Sequence, residues 1–146
     1  MRKYIFLSFG GFAGAILRYS MEQINMQGCY GKIPVNTLFI NVSGSFLMAF
    51  LLTSAFEVWE MDPDIRLGIT TGFLGAYTTF STFCKESVGL LRSGAYISAI
   101  GYIFLSVFLG LGAAYLGTFL ARRIGSVRKK SPETAEIPLD ESDVKI

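Results

Sequence analysis

The sequence contains no histidine, and it has only two cysteines and four prolines in 146 residues. Without histidine the chain has neither the commonest metal ligand nor the usual general base. No histidine is present to activate the thiol of Cys29 or Cys84, and two cysteines do not make the spacing pattern of a disulfide framework. The sequence therefore predicts no histidine metal site and no nucleophilic enzyme.

Charge is also scarce: charged residues make up 16% of the chain, whereas 51% of its residues are hydrophobic and its mean hydropathy is +0.47. A helix needs about 20 mostly apolar residues to cross a bilayer. Four segments meet this length, at residues 4–21, 35–57, 67–91 and 95–120. We therefore predict an all-α membrane protein whose four transmembrane helices form one domain, residues 1–122. We expect a lipid bilayer around it and no nucleic-acid partner.

The two ends of the chain are interpreted separately. Arg2 and Lys3, an apolar run and the small residues at 13–15 are compatible with a cleavable signal peptide. The apolar run continues through Ile16 and Leu17, beyond that cleavage site, so we interpret residues 4–21 as a retained helix. From Ser126 onward prolines and alternating charges replace large apolar residues, which predicts that residues 123–146 form a polar, disordered tail.

The basic residues are almost equally divided between the two sides of the predicted membrane domain. Before the tail, the side that carries the termini has Arg2, Lys3, Arg66, Arg122 and Arg123, and the other side has Arg18, Lys32, Lys85 and Arg92. Orientation follows from the difference in lysine and arginine between the sides. The domain alone therefore predicts insertion in both orientations, and only the basic residues 128–130 favour one of them.

Polar side chains recur along the predicted helices. Thr37, Asn41 and Ser45 lie four residues apart, and Ser98, Tyr102 and Ser106 repeat the spacing, so each set lies on one helix face. These hydroxyls either bond to their own helix or join neighbouring helices. Asn41 is different, because a lone helix in lipid cannot satisfy its amide, which therefore needs a partner or a ligand.

The first span has a face of small residues, Gly10, Gly11 and Gly14, which allows another helix to approach closely. Arg18 lies one turn further along. It either extends to the membrane interface or shapes the entrance for an anion.

Residues 70–83, TTGFLGAYTTFSTF, place glycines and hydroxyl side chains in the middle of the third span. Lipid cannot satisfy such groups, so this segment is either buried in protein or lines a polar passage. Glycines and β-branched residues are weak helix formers, and we predict a break near residues 75–78. Carbonyl groups freed there favour a hard cation, and half-helix N-termini favour an anion. Lys85 and Glu86 are expected near the outer end of the span.

Three sequence segments resemble the Fluc/CrcB family of fluoride channels: GGFAGAILRY at 10–19, NTLFINVSGSF at 36–46 and GFLGAYTTFSTF at 72–83. The resemblance covers about residues 3–122. It implies an antiparallel, dual-topology homodimer with two pores and a structural sodium ion at its centre. It also implies passive, fluoride-selective export across the inner (plasma) membrane of a bacterium or other microbe.

The resemblance also implies roles for particular residues. Asn41 would donate to the anion, and Phe80 and Phe83 would line its path with ring edges, which are electropositive. The remaining pore residues implied in this way are Ser81, Thr82, Tyr102 and Ser106. Backbone carbonyls of Gly75 and Thr78 would hold the sodium ion, and Arg18 would lie in a vestibule. The chain departs from the family at Gly110, near which a further hydroxyl would be expected.

Two alternatives remain open at the level of sequence. A dual-topology, proton-coupled exporter needs a titratable group inside the membrane, and Glu86 is the only carboxylate candidate. In a non-transporting scaffold, the polar faces would only pack helices together.

Overall fold

The computed structural model describes residues 1–24, 33–57 and 61–130, and for residues 127–130 it describes the backbone only. The helices are α1 (Arg2–Gln23), α2 (Val35–Glu57), α3 (Pro63–Leu67), a π-helical segment (Gly68–Leu74), α4 (Gly75–Tyr77), α5 (Phe80–Arg92) and α6 (Tyr96–Lys130). These ranges contain no β-strand, which confirms the all-α class. Cys29, Lys32 and residues 131–146 lie outside the described residues.

Two of the described helices, Val35–Glu57 and the Tyr96–Ser126 part of α6, are long and apolar enough to cross a bilayer. The outer faces of α1 and α6 carry large apolar side chains, such as Phe9 at 74% exposed and Ile97 at 90% exposed. Soluble monomers rarely have so much contiguous apolar surface. The surface therefore fits a membrane protein, while the count of four spans stays a prediction.

Helix α6 continues to Lys130, although we expected a disordered tail from residue 123. Proline does not occur between Ala121 and Lys130, and Gly125 is the only strong helix destabiliser in that stretch. Helix α6 thus extends into the first part of the predicted tail, and the division into a domain and a disordered tail stays a prediction.

Glycines bring α1 into contact with the π-helical segment. A Cβ atom at Gly10 would overlap the Gly68 carbonyl oxygen, and one at Gly14 would overlap the Phe73 carbonyl oxygen. A Cβ at Gly72 would lie 2.7 Å from the Leu7 carbonyl oxygen. Side chains at these positions would force the two backbones apart, which confirms that the glycine face of α1 allows close approach.

Helices α2 and α6 pack against each other, and two buried clusters lie on either side of the third segment. One cluster joins Ile40 of α2 to Leu74 and Tyr77. The other joins Leu90 of α5 to Ala99 and Tyr102 of α6. The third segment, residues 63–92, is therefore held against α2 at its middle and against α6 at its C-terminal part.

Charged contacts lie at the end of the bundle that carries the N-terminus. Arg2 pairs with Asp62 at 3.1 Å, and Arg122 pairs with Glu57 at 3.1 Å. The Asp62 side chain caps α3, and the N–H of Asp64 is the largest cause that lowers the pKa of its carboxyl group. Both ion pairs are exposed, so each contributes little stability, but they show that four elements meet at this end.

Candidate functional site

The backbone of the third segment leaves helical geometry at Thr78 and Thr79. Helix α4 ends at Tyr77, Thr78 has φ −76° and ψ 154°, and Thr79 has φ −142° and ψ 116°. Helix α5 begins at Phe80, and its first turn is capped by Thr79, whose Oγ1 accepts from the Thr82 N–H at 3.2 Å. A threonine at this position supplies a side-chain acceptor to an otherwise unpaired N–H.

Asn41 of α2 forms hydrogen bonds with both the N–H and the carbonyl of Thr79. Its Nδ2 donates to the Thr79 carbonyl at 2.9 Å, and its Oδ1 accepts from the Thr79 N–H at 2.9 Å. The amide of Asn41 thus replaces the peptide group that a continuous helix would have offered. The sequence predicted that the Asn41 amide needs a partner, and that partner is the backbone of Thr79. We did not predict Thr79 as part of the site. One Nδ2 hydrogen remains for another acceptor.

The interruption diverts two backbone N–H groups from their helical acceptors. In an α-helix the Thr79 N–H would bond to the Gly75 carbonyl, and the Thr82 N–H would bond to the Thr78 carbonyl. Here the Thr79 N–H donates to Asn41 and the Thr82 N–H donates to the side chain of Thr79. The two carbonyls predicted as sodium ligands are therefore among those that lack their usual helical N–H partners at the interruption.

A cavity of about 660 Å³ lies beside the interruption. Four of the predicted pore residues line it: Asn41, Phe80, Phe83 and Ser106. Three others, Ser81, Thr82 and Tyr102, lie outside its lining. The lining contains no lysine or arginine, and Gly44, Ser45 and Thr78 add backbone and hydroxyl groups to it.

The two phenylalanines begin a series of aromatic contacts. The ring centroids of Phe80 and Phe83 are 5.9 Å apart, and those of Phe83 and Tyr102 are 5.3 Å apart. Phe80 is 77% exposed, whereas Tyr102 is fully buried. The planes of the neighbouring rings are tilted by 35° and 48° to each other, so the three rings form a connected series from α5 to α6.

Tyr102 is linked to Glu86 and Thr37. The Tyr102 hydroxyl donates to Oε2 of Glu86 at 2.8 Å, and the Thr37 hydroxyl donates to Oε1 of Glu86 at 2.9 Å. Glu86 thus joins α5 to both α2 and α6. Because Thr37 is the third residue of α2, the expected place of Glu86 near an outer end stays a prediction. The sequence contained a signal, because Glu86 is the only carboxylate inside the predicted spans apart from Glu57 at the very end of one, but its partners lie 49 and 16 residues away.

Other hydroxyls bond within their own helices. Ser106 donates to the Tyr102 carbonyl at 2.7 Å, and Ser45 donates to the Asn41 carbonyl at 2.8 Å. A Cβ atom at Gly110 would lie 3.7 Å from Oγ of Ser45. The Ser45 hydroxyl of α2 therefore lies close to Gly110, the position near which the family resemblance led us to expect a hydroxyl on the fourth helix.

Arg18 lies outside the cavity lining. Its Nε is 3.9 Å from Oε1 of Glu22, one turn along α1, and both side chains are partly exposed. The described contacts thus give Arg18 a partner on its own helix, and its place in a vestibule stays a prediction.

The sequence matches known proteins over most of its length. Residues 5–118 match the family model described as CrcB-like protein, Camphor Resistance (CrcB). The fluoride-specific ion channel FluC 1 of Moorella thermoacetica is 43% identical over 119 residues, 82% of this chain and 85% of the relative. The fluoride-specific ion channel FluC of Thermosipho melanesiensis is 40% identical over 121 residues, 82% of this chain and 96% of the relative. These matches confirm the resemblance found in the three sequence segments, and the chain belongs to the CrcB-like family.

Proposed function

We propose that the protein is a passive, fluoride-selective ion channel that exports fluoride across the inner (plasma) membrane of a bacterium or other microbe. The observation that carries the proposal is the cavity at the interruption, where Asn41, Phe80, Phe83 and Ser106 meet without a basic residue. The names of the relatives, fluoride-specific ion channels, supply the identity of the ion. Membership of a family of ion channels also means that the chain is not an enzyme.

The lining is suited to a small anion that has lost water. Moving a bare ion into a medium of low dielectric constant costs on the order of 20 kcal/mol in the idealised case, so the path must offer replacement donors. Asn41 has an amide hydrogen left after bonding to Thr79. The edges of Phe80 and Phe83 are electropositive. A lysine or arginine in the narrow part would hold the anion too tightly, and the lining has neither.

The membrane arrangement in this proposal is an antiparallel homodimer in which each chain crosses the bilayer four times. The third span would comprise residues 63–92, with its interruption at Thr78 and Thr79. Gly75 is exposed in the single chain although it lies in the middle of that span, so a second copy would cover it. The nearly balanced basic residues support insertion in both orientations.

A structural sodium ion at the dimer centre fits the residues of the interruption. The Gly75 and Thr78 carbonyls have lost their usual N–H partners to Asn41 and to the side chain of Thr79. Carbonyl oxygens suit a hard cation, and a twofold axis would bring four of them together from two chains. The ion would fix the two interruptions against each other and would not be transported.

The function is tested by measuring fluoride efflux from liposomes that contain the purified protein. A channel predicts rapid efflux that follows the electrical potential and needs no proton gradient, whereas a proton-coupled exporter predicts exchange that a proton gradient drives. Protein-free liposomes are the control. Efflux no faster than in these liposomes would support a scaffold and overturn the proposal.

The sodium site is tested by replacing sodium with a larger monovalent cation during prolonged dialysis. Fluoride efflux should fall because the carbonyls no longer hold the two chains in register, and added sodium should restore it. Full efflux from protein that elemental analysis shows to be free of sodium would contradict the site while leaving the channel intact.

A further inference from the structure

Helix α5 has two faces of different character. Glu86, Ser87 and Leu90 face the protein, where Ser87 and Leu90 are buried and Glu86 bonds to α2 and α6. The opposite face is exposed and carries Ser81, Lys85, Val88 and Arg92. Their spacings of four, three and four residues place them in one stripe along the helix. The stripe begins beside Phe80 and ends at the last residue of α5.

Lys85 is a cation without an anionic partner among the described residues. The three ion pairs found there join other residues: Arg2 to Asp62, Arg18 to Glu22 and Arg122 to Glu57. Its neighbour Glu86 directs both carboxylate oxygens to Thr37 and Tyr102 on the other side of α5. An ionisable side chain inside a predicted span is costly, so one that persists without a partner indicates contact with water or with a passing ion.

The position of Lys85 along α5 places it between the aromatic rings and the end of the helix. Lys85 follows Phe80 by five residues, a rise of about 7.5 Å, and precedes Arg92 by seven residues, about 10 Å. Lys85 lies on the exposed stripe that also carries Ser81, a predicted pore residue, and it lies outside the cavity lining. A charge there can attract an anion without acting as its ligand in the narrow part.

We propose that Lys85 attracts small anions into an aqueous entrance that leads along α5 to Phe80 and Phe83. This inference rests on the proposed channel function. A positive charge at a protein surface raises the local concentration of anions, and salt screens the effect. Because Lys85 acts before the narrow part, it raises the rate for fluoride and chloride alike and leaves the discrimination between them unchanged.

The test compares wild type with Lys85→Met, Lys85→Arg and Lys85→Glu in liposomes at two ionic strengths. At about 10 mM, where the Debye length is about 30 Å, Lys85→Met should slow fluoride efflux by about two- to fivefold and Lys85→Glu by more. At about 1 M, where the Debye length is about 3 Å, the difference should disappear. Lys85→Arg should match wild type at both. The control is Lys3→Met, an exposed lysine at the other end of the bundle, which should have no effect.

A second measurement varies the charge at position 85 chemically within a single protein variant. Lys85→Cys is made in a background with Cys29→Ser and Cys84→Ser, and the thiol is labelled with a cationic or an anionic methanethiosulfonate of similar size. The cationic label should restore efflux at low ionic strength, and the anionic label should reduce it further.

Failure of this inference is distinct from failure of the channel. If wild type shows no fluoride efflux, both the proposed function and the proposed role of Lys85 are overturned. If wild type conducts but Lys85→Met is unchanged at low ionic strength, or is slowed equally at both, the role of Lys85 is overturned alone. An equal loss at both ionic strengths would mean that Lys85 stabilises the fold or the dimer.

Discussion

Helix α6 and the third segment, residues 63–92, are both rich in apolar and hydroxyl side chains, but only α6 has a continuous helical backbone. Helix α6 is continuous over 35 residues, and its Ser106 and Thr118 donate to carbonyls four residues earlier in the same helix. The third segment contains a π-helical stretch and an interruption. Its Thr70, Thr78 and Ser87 hydroxyls also donate to carbonyls four residues earlier, but the backbone of Thr79 and the Tyr77 hydroxyl bond to side chains of α2. Ser43 of α2, for example, contacts the Tyr77 hydroxyl at 2.9 Å.

The difference shows where backbone N–H and carbonyl groups need hydrogen-bond partners from another helix. In a continuous helix every interior N–H and carbonyl is paired, so an added hydroxyl can bond locally and leave the packing unchanged. At an interruption, backbone groups lose their partners, and in lipid each would cost several kcal/mol. Asn41 meets this need at Thr79, and it also lines the cavity on which the proposed function depends.

The largest effect in this comparison is expected for Asn41→Ala. The substitution leaves the N–H and the carbonyl of Thr79 without partners, each at about 1–3 kcal/mol, and removes an amide donor from the cavity. Fluoride efflux per folded protein should fall by about 10–100-fold, the equivalent of one lost hydrogen bond to a charged group. Liposome efflux measures the rate, and thermal unfolding in detergent measures the stability.

The matched variant in the continuous helix is Thr118→Ala, which also removes a part-buried hydrogen-bonding side chain. Since the Thr118 hydroxyl bonds only to the Ala114 carbonyl of its own helix, stability should change by no more than about 0.5 kcal/mol and efflux should be unchanged. The comparison would be contradicted if Asn41→Ala, like Thr118→Ala, left both the stability and the fluoride efflux nearly unchanged.

A smaller effect than that of Asn41→Ala is expected for Phe80→Leu and Phe83→Leu. Leucine keeps the apolar volume but lacks an electropositive ring edge, and the loss of about 1.5 kcal/mol of such an interaction corresponds to about tenfold in rate. Phe80→Leu should leave stability nearly unchanged because its ring is 77% exposed. Normal fluoride efflux in both variants, with a normal dimer content measured by cross-linking, would show that the two rings do not line the fluoride path.

The sequence predicted those features that depend on composition and local pattern. Residues 35–57 were expected as a helix and form α2 with the same bounds. The requirement of Asn41 for a partner followed from its amide alone. The departure from helical geometry falls at Thr78 and Thr79, at the edge of the interval 75–78 that weak helix formers indicated.

Features that depend on distant contacts did not follow from the sequence. The π-helical segment lies against the glycine face of α1, some 60 residues away in the chain. Thr79 belongs to the site only because Asn41 reaches its backbone across 38 residues. The bonds from Thr37 and Tyr102 to the Glu86 carboxylate did not follow from the pattern of α5 alone. The dimer, the sodium ion and the four spans stay predictions.

The central claim is that fluoride passes through the cavity at the interruption, and the most direct measurement is to block that cavity chemically. Ser106, which lines it, is replaced by cysteine in a background with Cys29→Ser and Cys84→Ser, and the thiol is labelled with a bulky neutral reagent. Thr118→Cys in the same background is the matched control on α6. We predict that stoichiometric labelling at 106 stops fluoride efflux and that labelling at 118 does not. Undiminished efflux after complete labelling at 106 would contradict the account.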